Sequence, residues 1–403
     1  MVQKKIGIVG KPSAGKTTFL NALCELNAKT AEYPFTTIEP NEGVAYVSSQ
    51  CPCKELGVQC EPRNSACENG IRRIPIRILD VAGLVPGAHE GKGLGNQFLN
   101  DLADADALVH VLDCSGSLDF EGQEVESGSH DPMLDVQFLE KEITLWMVGI
   151  LKKGWNRLIR TAESEKDKVV DLLSERFSGL KVTNKQIAQS FVSLDLPDTL
   201  RNWSDEHIYT LCKAILHVSK PFIHAANKID KPTSKDNLKK LIQSLGEDRV
   251  IPTAAALEIF LQKMNKKGNI VYISESGSLE LQKDAEIKPQ ELTVLQKTKT
   301  EILECYGSTG ILKVLNTAAF DALGFIVVYP VADTSKFSDH DGHVLPDAFL
   351  VSKGTNAKGL AEIIHQDLAK SFIHAIDAKT KRRLAENYQL EDGDVIRIVS
   401  AAK

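Results

Sequence analysis

The 403-residue chain has no apolar run approaching the ~20 residues that a bilayer-spanning helix requires. Its start lacks the features of a secretory leader, because Val2 to Lys5 leads straight into a strand-like run. A surplus of positive charge is also missing. With 48 Lys+Arg against 54 Asp+Glu, the net charge of -6 disfavours indiscriminate nucleic-acid binding and leaves room only for a local basic face. Eight cysteines without a leader are not expected to form a disulfide framework, so they read as reduced thiols or metal ligands. The expectation is a cytoplasmic protein without a membrane partner. Its 42% apolar and 25% charged residues are those of a soluble globular protein, and its length predicts about two to three domains.

The most informative stretch is GKPSAGKT, residues 10–17, between the apolar run Ile6, Gly7, Ile8, Val9 and the helix-like FLNALCEL. Strand, Gly-rich turn and helix start form the P-loop pattern. Gly10 and Gly15 let backbone N–H groups, those of Ser13, Ala14 and Thr18 among them, curl around phosphates at a helix N-terminus, with Pro12 as a further residue of the cofactor-binding loop that has no N–H to give. Lys16 is placed to reach the β/γ oxygens as a catalytic charge, and Thr17 offers its hydroxyl to Mg²⁺.

Short Ile/Val-rich runs at 4–10, 43–49, 73–80, 107–113 and 221–227 alternate with helical or loop segments, which predicts a mostly parallel sheet in an α/β fold. AEYPFTTIEPN, residues 31–41, reads as an exposed loop. In P-loop GTPases such a loop supplies a threonine to the Mg²⁺ shell, and Thr37 is chosen here over Thr36. The strand RRIPIRILD ends in DVAG, where Asp80 would hold Mg²⁺ through water and the Gly83 N–H would sense the γ-phosphate. The Gly-rich run that follows predicts a segment without regular helix.

GKPSAGKT, YPFTTIEPN and DVAGLVPGAHEGKGLGNQFL together resemble the Obg family of GTPases, and the IEPN ending points to its YchF-like branch, of the archaeal type. The resemblance implies slow GTP hydrolysis, because Leu84 stands where many GTPases carry the glutamine that orients water. His89 and His130 are candidate substitutes, each read also as an ordinary surface histidine. Ser13 occupies the position of an asparagine that recruits K⁺ in some relatives. The expected cofactors are GTP/GDP and Mg²⁺.

PFIHAANKID carries NKxD at a strand end. Asp230 can accept hydrogen bonds from guanine N1–H and the exocyclic amine, the Lys228 stem can lie along the base, and Asn227 completes the motif. Many YchF-like relatives carry a Glu-ended variant and prefer ATP, so NKID points to guanine. In IPTAAALE, Ala254 takes the usual serine position, leaving the Ala255 N–H to meet the guanine carbonyl.

Cys51, Cys53, Cys60 and Cys67 lie in a polar insertion, where four thiolates could hold Zn²⁺ in a tetrahedral site or remain free thiols. From Asp131 and Pro132, the apolar spacing of Leu139, Ile143, Trp146 and Ile150 and later capping signals predict an all-helical insertion. Residues 256–322 read as helical segments around a polar stretch, and the last 80 or so residues read as strand, strand, a helix over about 356–372 and a late strand, a small β-grasp unit. Family resemblance identifies it as TGS-like. The predicted divisions are 1–130 and 220–322 for the two parts of the G domain, 131–219 for the insertion and 323–403 for the TGS-like unit. A nucleotide-dependent switch with the ribosome or ribosomal RNA as partner is expected, acting as a monomer. Candidate phosphate contacts are Lys152, Lys153, Arg157 and Arg160 on the insertion and the Lys379 to Arg383 cluster, the latter read foremost as a solvated helix end.

Overall fold

A computed structural model describes residues 4–25, 41–81, 87, 95–164, 168–192, 194–283 and 285–401. In chain order the elements are β1 (Lys5–Val9), α1 (Lys16–Glu25), β2 (Glu42–Gln50), β3 (Ala66–Glu68), β4 (Ile71–Asp80), α2 (Gly95–Asp104) and β5 (Ala107–Asp113). Then come α3 (Pro132–Lys152), α4 (Trp155–Ser164), α5 (Val169–Arg176), α6 (Asn184–Phe191), α7 (Asp205–Ser219), β6 (Phe222–Asn227), α8 (Ser234–Leu245), β7 (Val250–Pro252) and α9 (Ala255–Lys266). The rest is β8 (Ile270–Ile273), β9 (Ser278–Leu281), α10 (Pro289–Lys297), α11 (Glu304–Tyr306), α12 (Ile311–Asn316), β10 (Phe325–Pro330), β11 (Phe349–Ser352), α13 (Ala357–Ile364), α14 (Gln366–Lys370), β12 (Phe372–Asp377), β13 (Arg383–Leu384) and β14 (Asp394–Ser400).

Two compact units divide the chain, one of residues 4–22 and 78–314, the other of 23–77 and 315–403. In the first, the strand order is β1-β5-β6-β7, with the last residues of β4, from Ile78, beside β1. β1 pairs parallel with β5 (Ile6↔Ala107), β5 with β6 (Leu108↔Phe222) and β6 with β7 (His224↔Val250). Every residue of β5 and β6 is buried, as expected for central parallel strands covered on both faces. This is the parallel sheet that the alternation of strand and helix predicts.

The helical stretch from α3 to α7 is nucleated by caps. Asp131 accepts from Met133 N–H at the start of α3, and capping boxes at Thr183/Gln186 and Ser204/His207 open α6 and α7. The apolar face of α3 is rotated from the expected one. Leu139 and Ile143 are buried, but Val136, Met147 and Leu151 complete the stripe, while Trp146 and Ile150 are only partly buried at its edge. Leu139, Ile143, Met147 and Leu151 of that face pack with Leu211, Ile215 and Leu216 of α7 and Leu173 of α5 in one core, while Val136 joins a second with Leu112 and Leu241. A short antiparallel hairpin, β8 with β9, stands where the sequence predicts only helix and polar loop.

The second unit contains β2, the β3–β4 hairpin and a separate sheet of order β11-β10-β14-β12-β13, in which β10 and β14 are parallel and the other pairs antiparallel. Ala357 and Leu360 of α13 bury against Val328, Ala375 and Ile396 of that sheet. The helix expected over 356–372 is broken at His365, whose extended backbone (φ -162°, ψ 136°) ends α13 and whose ring accepts from Asp367 N–H to start α14. The Lys379 to Arg383 cluster lies in the turn between β12 and β13, not at a helix end. The Lys379 ammonium is matched by Glu55 at 2.7 Å.

Candidate nucleotide site

β1 delivers the chain at its C-terminal end into the turn 10–15, and α1 begins at Lys16, so strand, turn and helix fall in the predicted order. Gly15 has φ +98°, and a Cβ there would collide with the Asn227 amide, so this position needs glycine for both conformation and space. The Asn227 side chain, at the end of β6, joins the two motifs. Its Nδ2 donates to Ala14 O at 3.1 Å, and its Oδ1 accepts from Ala255 N–H at 3.2 Å. P-loop, NKID and TAA segments therefore meet at one edge of the sheet.

The Ala255 N–H, expected to face a guanine carbonyl, is thus occupied by Asn227, and the Ala254 N–H donates to Thr309 O at 3.0 Å. The TAA turn is held from beneath by buried Glu258. Its carboxylate accepts from Tyr272 at 2.7 Å, Ser274 at 2.9 Å, Gln262 at 2.8 Å and the Thr309 hydroxyl. This support is not readable from spacing, since its members come from the helix, hairpin and loop after the motif.

Lys16 Nζ lies 3.2 Å from Asp80 Oδ1 and also donates to Val81 O. Thr17 is exposed at the start of α1, and the Asp80 side chain is 44% exposed. The P-loop lysine and the DxxG carboxylate are thus brought together. Thr37, Gly83, Leu84 and His89 lie outside the described residues. Lys228 sits in the left-handed region (φ 62°) and its ammonium is 3.3 Å from Asp113. Asp113 is fully buried. Burial alone would raise its pKa, but hydrogen bonds from Ser115 and the Lys228 charge hold it below the usual carboxylate range. Asp230 is half-buried, with Lys231 the nearest cation at 3.8 Å.

Two parts of the site escaped the sequence reading. Lys11, inside the P-loop, is buried; its ammonium donates to Leu118 O at 2.8 Å and pairs with Asp135 of α3 at 2.9 Å. His130 is no surface histidine, being 9% exposed with Nε2 2.9 Å from the other Asp135 oxygen. The 114–130 segment also covers the P-loop. Gly122 (φ +79°) lies so close that a Cβ would come within 2.5 Å of Pro12 O. Three glycines at 116, 122 and 128, between a strand and a capped helix, were the available signal.

A parallel sheet whose strand ends carry a P-loop, a DxxG carboxylate and an NKxD loop tied to both neighbouring turns defines a P-loop protein of the GTP-binding class. Residues 5–144 match the 50S ribosome-binding GTPase family, 225–333 the G4 motif-containing domain of Obg-like GTPase YGR210-like proteins, and 342–400 the TGS domain. A GTP-binding protein of Methanocaldococcus jannaschii is 46% identical over 99% of both chains, and one of Schizosaccharomyces pombe 39% identical over 91% of each. The crystal structure of a GTP binding protein from Pyrococcus horikoshii OT3 is similar with a TM-score of 0.77 at 36% identity, covering 98% of this chain and 100% of that one. The chain belongs to the Obg-like, YchF-type family of GTP-binding proteins. Human Obg-like ATPase 1 is 29% identical, covering 97% of this chain and 91% of its own.

Proposed function

We propose that the protein is a slow GTPase that converts GTP and water to GDP and phosphate and acts as a nucleotide-dependent switch on the ribosome. The observation that supports the guanine reading is Asn227, three residues before Asp230, which fastens the NKID strand end to both the P-loop and the TAA turn. Asp230 accepts from guanine N1–H and the 2-amino group, whereas adenine has no such donor pair. Asn227 fixes the walls of the base site, and its hold on the Ala255 N–H means that this donor is shared with or released to the guanine carbonyl on binding.

The hydroxyl of Thr17 and the carboxylate of Asp80 are hard oxygen donors of the kind that suit Mg²⁺, and they lie at adjoining turns. These residues, with Thr37, would hold the ion, which when bound neutralises charge on the β- and γ-phosphates. Lys16 then exchanges Asp80 and Val81 O for phosphate oxygens, so the resting contacts keep its charge oriented toward the site before substrate arrives. The Gly83 N–H reports the γ-phosphate to the segment that follows. With Leu84 in place of a water-orienting glutamine, turnover of the protein alone is expected at about 10⁻⁴ to 10⁻² s⁻¹. The proposed functional divisions are a G domain in two parts (1–130 and 220–322), the helical insertion 131–219 and the TGS-like unit 323–403, whereas by compactness 23–77 groups with 315–403.

The nucleotide preference is tested by calorimetry with GTP and ATP on wild type and Asp230→Asn. Selective GTP binding that weakens in the variant supports the reading. Equal affinities in the wild type overturn it and favour an ATP-hydrolysing protein of the kind named among the relatives. For the switch, the whole protein loaded with GDP or a non-hydrolysable GTP analogue is sedimented with ribosomes. Sedimentation that ignores the nucleotide defeats the switch.

A further inference from the structure

Residues 51–65 leave β2 and return through β3 without regular secondary structure, and their aliphatic side chains, Leu56 and Val58, are only half-buried. An apolar core therefore does not hold this loop in shape. It is nevertheless well placed against the 344–348 segment of the same unit. Glu61 N–H donates to Val344 O and Arg63 N–H to Pro346 O, each at 2.8 Å, while the Asn64 amide bonds both Ala348 O and Ala348 N at 3.0 Å. Buried Arg72 adds Nη2 contacts to Leu345 O at 2.7 Å and Pro346 O at 3.0 Å.

What organises the loop is its sulfur. The Sγ atoms of Cys51, Cys53, Cys60 and Cys67 all lie within 4.8 Å of one another, Cys53 and Cys67 being 4.0 Å apart, and none is in a disulfide. Four sulfurs around a tetrahedral ion with bonds of about 2.3 Å would be separated by about 3.8 Å. Arg72 stands opposite Cys67 in the β3–β4 register, is 0% exposed, and its Nη1 has no hydrogen-bond partner. A buried cation with an unspent donor beside four thiols suits a site that carries net negative charge once filled.

We propose that these four cysteines bind one Zn²⁺ as a closed structural site, which fixes the 51–70 segment so that it can hold the 344–348 strand approach. Binding is Zn²⁺ + 4 Cys–SH → [Zn(S–Cys)₄]²⁻ + 4 H⁺, with no change of oxidation state and no open position for a substrate. The group Asp339, Asp341 and His343 differs: Arg63 already sits 3.2 Å from both carboxylates as their counter-ion.

The test is elemental analysis of the full-length protein, purified under reductant and reconstituted with ZnCl₂, alongside Cys60→Ser, the fourfold Cys→Ser variant, and a control carrying Cys24→Ser and Cys305→Ser. One zinc per chain is expected in wild type and control, and loss of tight binding in the fourfold variant. Cobalt substitution of wild type should give the intense visible and charge-transfer bands of tetrahedral thiolate coordination, a readout that does not depend on any variant folding. Absence of retained metal in wild type, iron–sulfur absorption, a mass loss from disulfide formation under the same reductant, or cobalt bands that survive in a folded fourfold variant would each overturn the proposal. GTP titration of the same samples keeps its failure separate from a failure of the nucleotide reading.

Discussion

Asp135→Asn should loosen the P-loop from beneath. Asp135 and Lys11 are 5% and 7% exposed and 2.9 Å apart, in an ion contact rather than an aligned hydrogen bond, because that carboxylate oxygen has no bond of good geometry. With an effective dielectric of 20, the attraction is about 6 kcal/mol, much of it offset by the desolvation of both groups. The amide can still bond His130 through its oxygen and keeps the shape, so the variant removes mainly charge. What remains is a buried ammonium with Leu118 O as its main partner. Breaking one side of such a pair costs about 3–5 kcal/mol, which lowers the melting temperature of a 150–250-residue unit by roughly 6–20 °C. Replacing both, Lys11→Met with Asp135→Leu, should restore most of the loss because no charge is left buried. The assay is thermal unfolding of nucleotide-free wild type, Asp135→Asn, the single variants Lys11→Met and Asp135→Leu, and the double variant that combines these two. If the single effects simply add, within about 0.5 kcal/mol, the pair is not coupled and the reasoning fails.

Acid should destabilise the sheet under the P-loop through its buried histidines. Burial, then His224 and Lys11, keeps His110 well below its ordinary pKa, and burial, then Arg249, takes His224 down to about 4. The unfolded chain gains protons near pH 6.5 that the fold refuses, so this stability is complete above pH 6.5 and falls by up to about 1.4 kcal/mol per histidine per pH unit below it. Urea midpoints that stay flat from pH 7 to 5 would contradict this. Glu140, where burial opposes but His217 and Lys213 contacts prevail, sits at about 2, so its contribution fades only below pH 4.5. Gly15→Ala, which meets both a positive φ and the Asn227 amide, should abolish tight GTP binding; a fluorescent-nucleotide titration reading unchanged affinity would refute the close approach. Lys16→Ala should abolish tight triphosphate binding, because the charge that offsets the β/γ oxygens is gone; equal GTP affinity in the variant would remove Lys16 from the site.

Much of the nucleotide site was legible because its signals are local. GKPSAGKT and NKID each encode a turn and its ligands within a few residues, and caps such as Asp131 and Thr183 mark helix starts by chemistry that acts over one turn. The β8–β9 hairpin was missed because its strands are four residues long and only Ile270 and Tyr272 point inward, too short for alternation to register. The break at His365 was hidden inside a continuous helical pattern, since a side chain that caps the next helix leaves no Gly or Pro behind.

Lys11 and Asp135 show where local reading ends and topology begins. An aspartate in the first turn of α3 reads as a favourable partner for the helix dipole, and a lysine in a Gly-rich loop reads as solvated. Neither reading foresees the other residue. Yet β1 and β5 are parallel neighbours, from Ile6↔Ala107 to Val9↔His110, so the chain leaves both at the same edge of the sheet. Lys11 emerges two residues after β1, and the segment following β5 must cross that edge before α3 can begin. Once strand order is known, the P-loop lysine and the start of the insertion become neighbours by necessity, which makes their ion pair a consequence of the parallel fold.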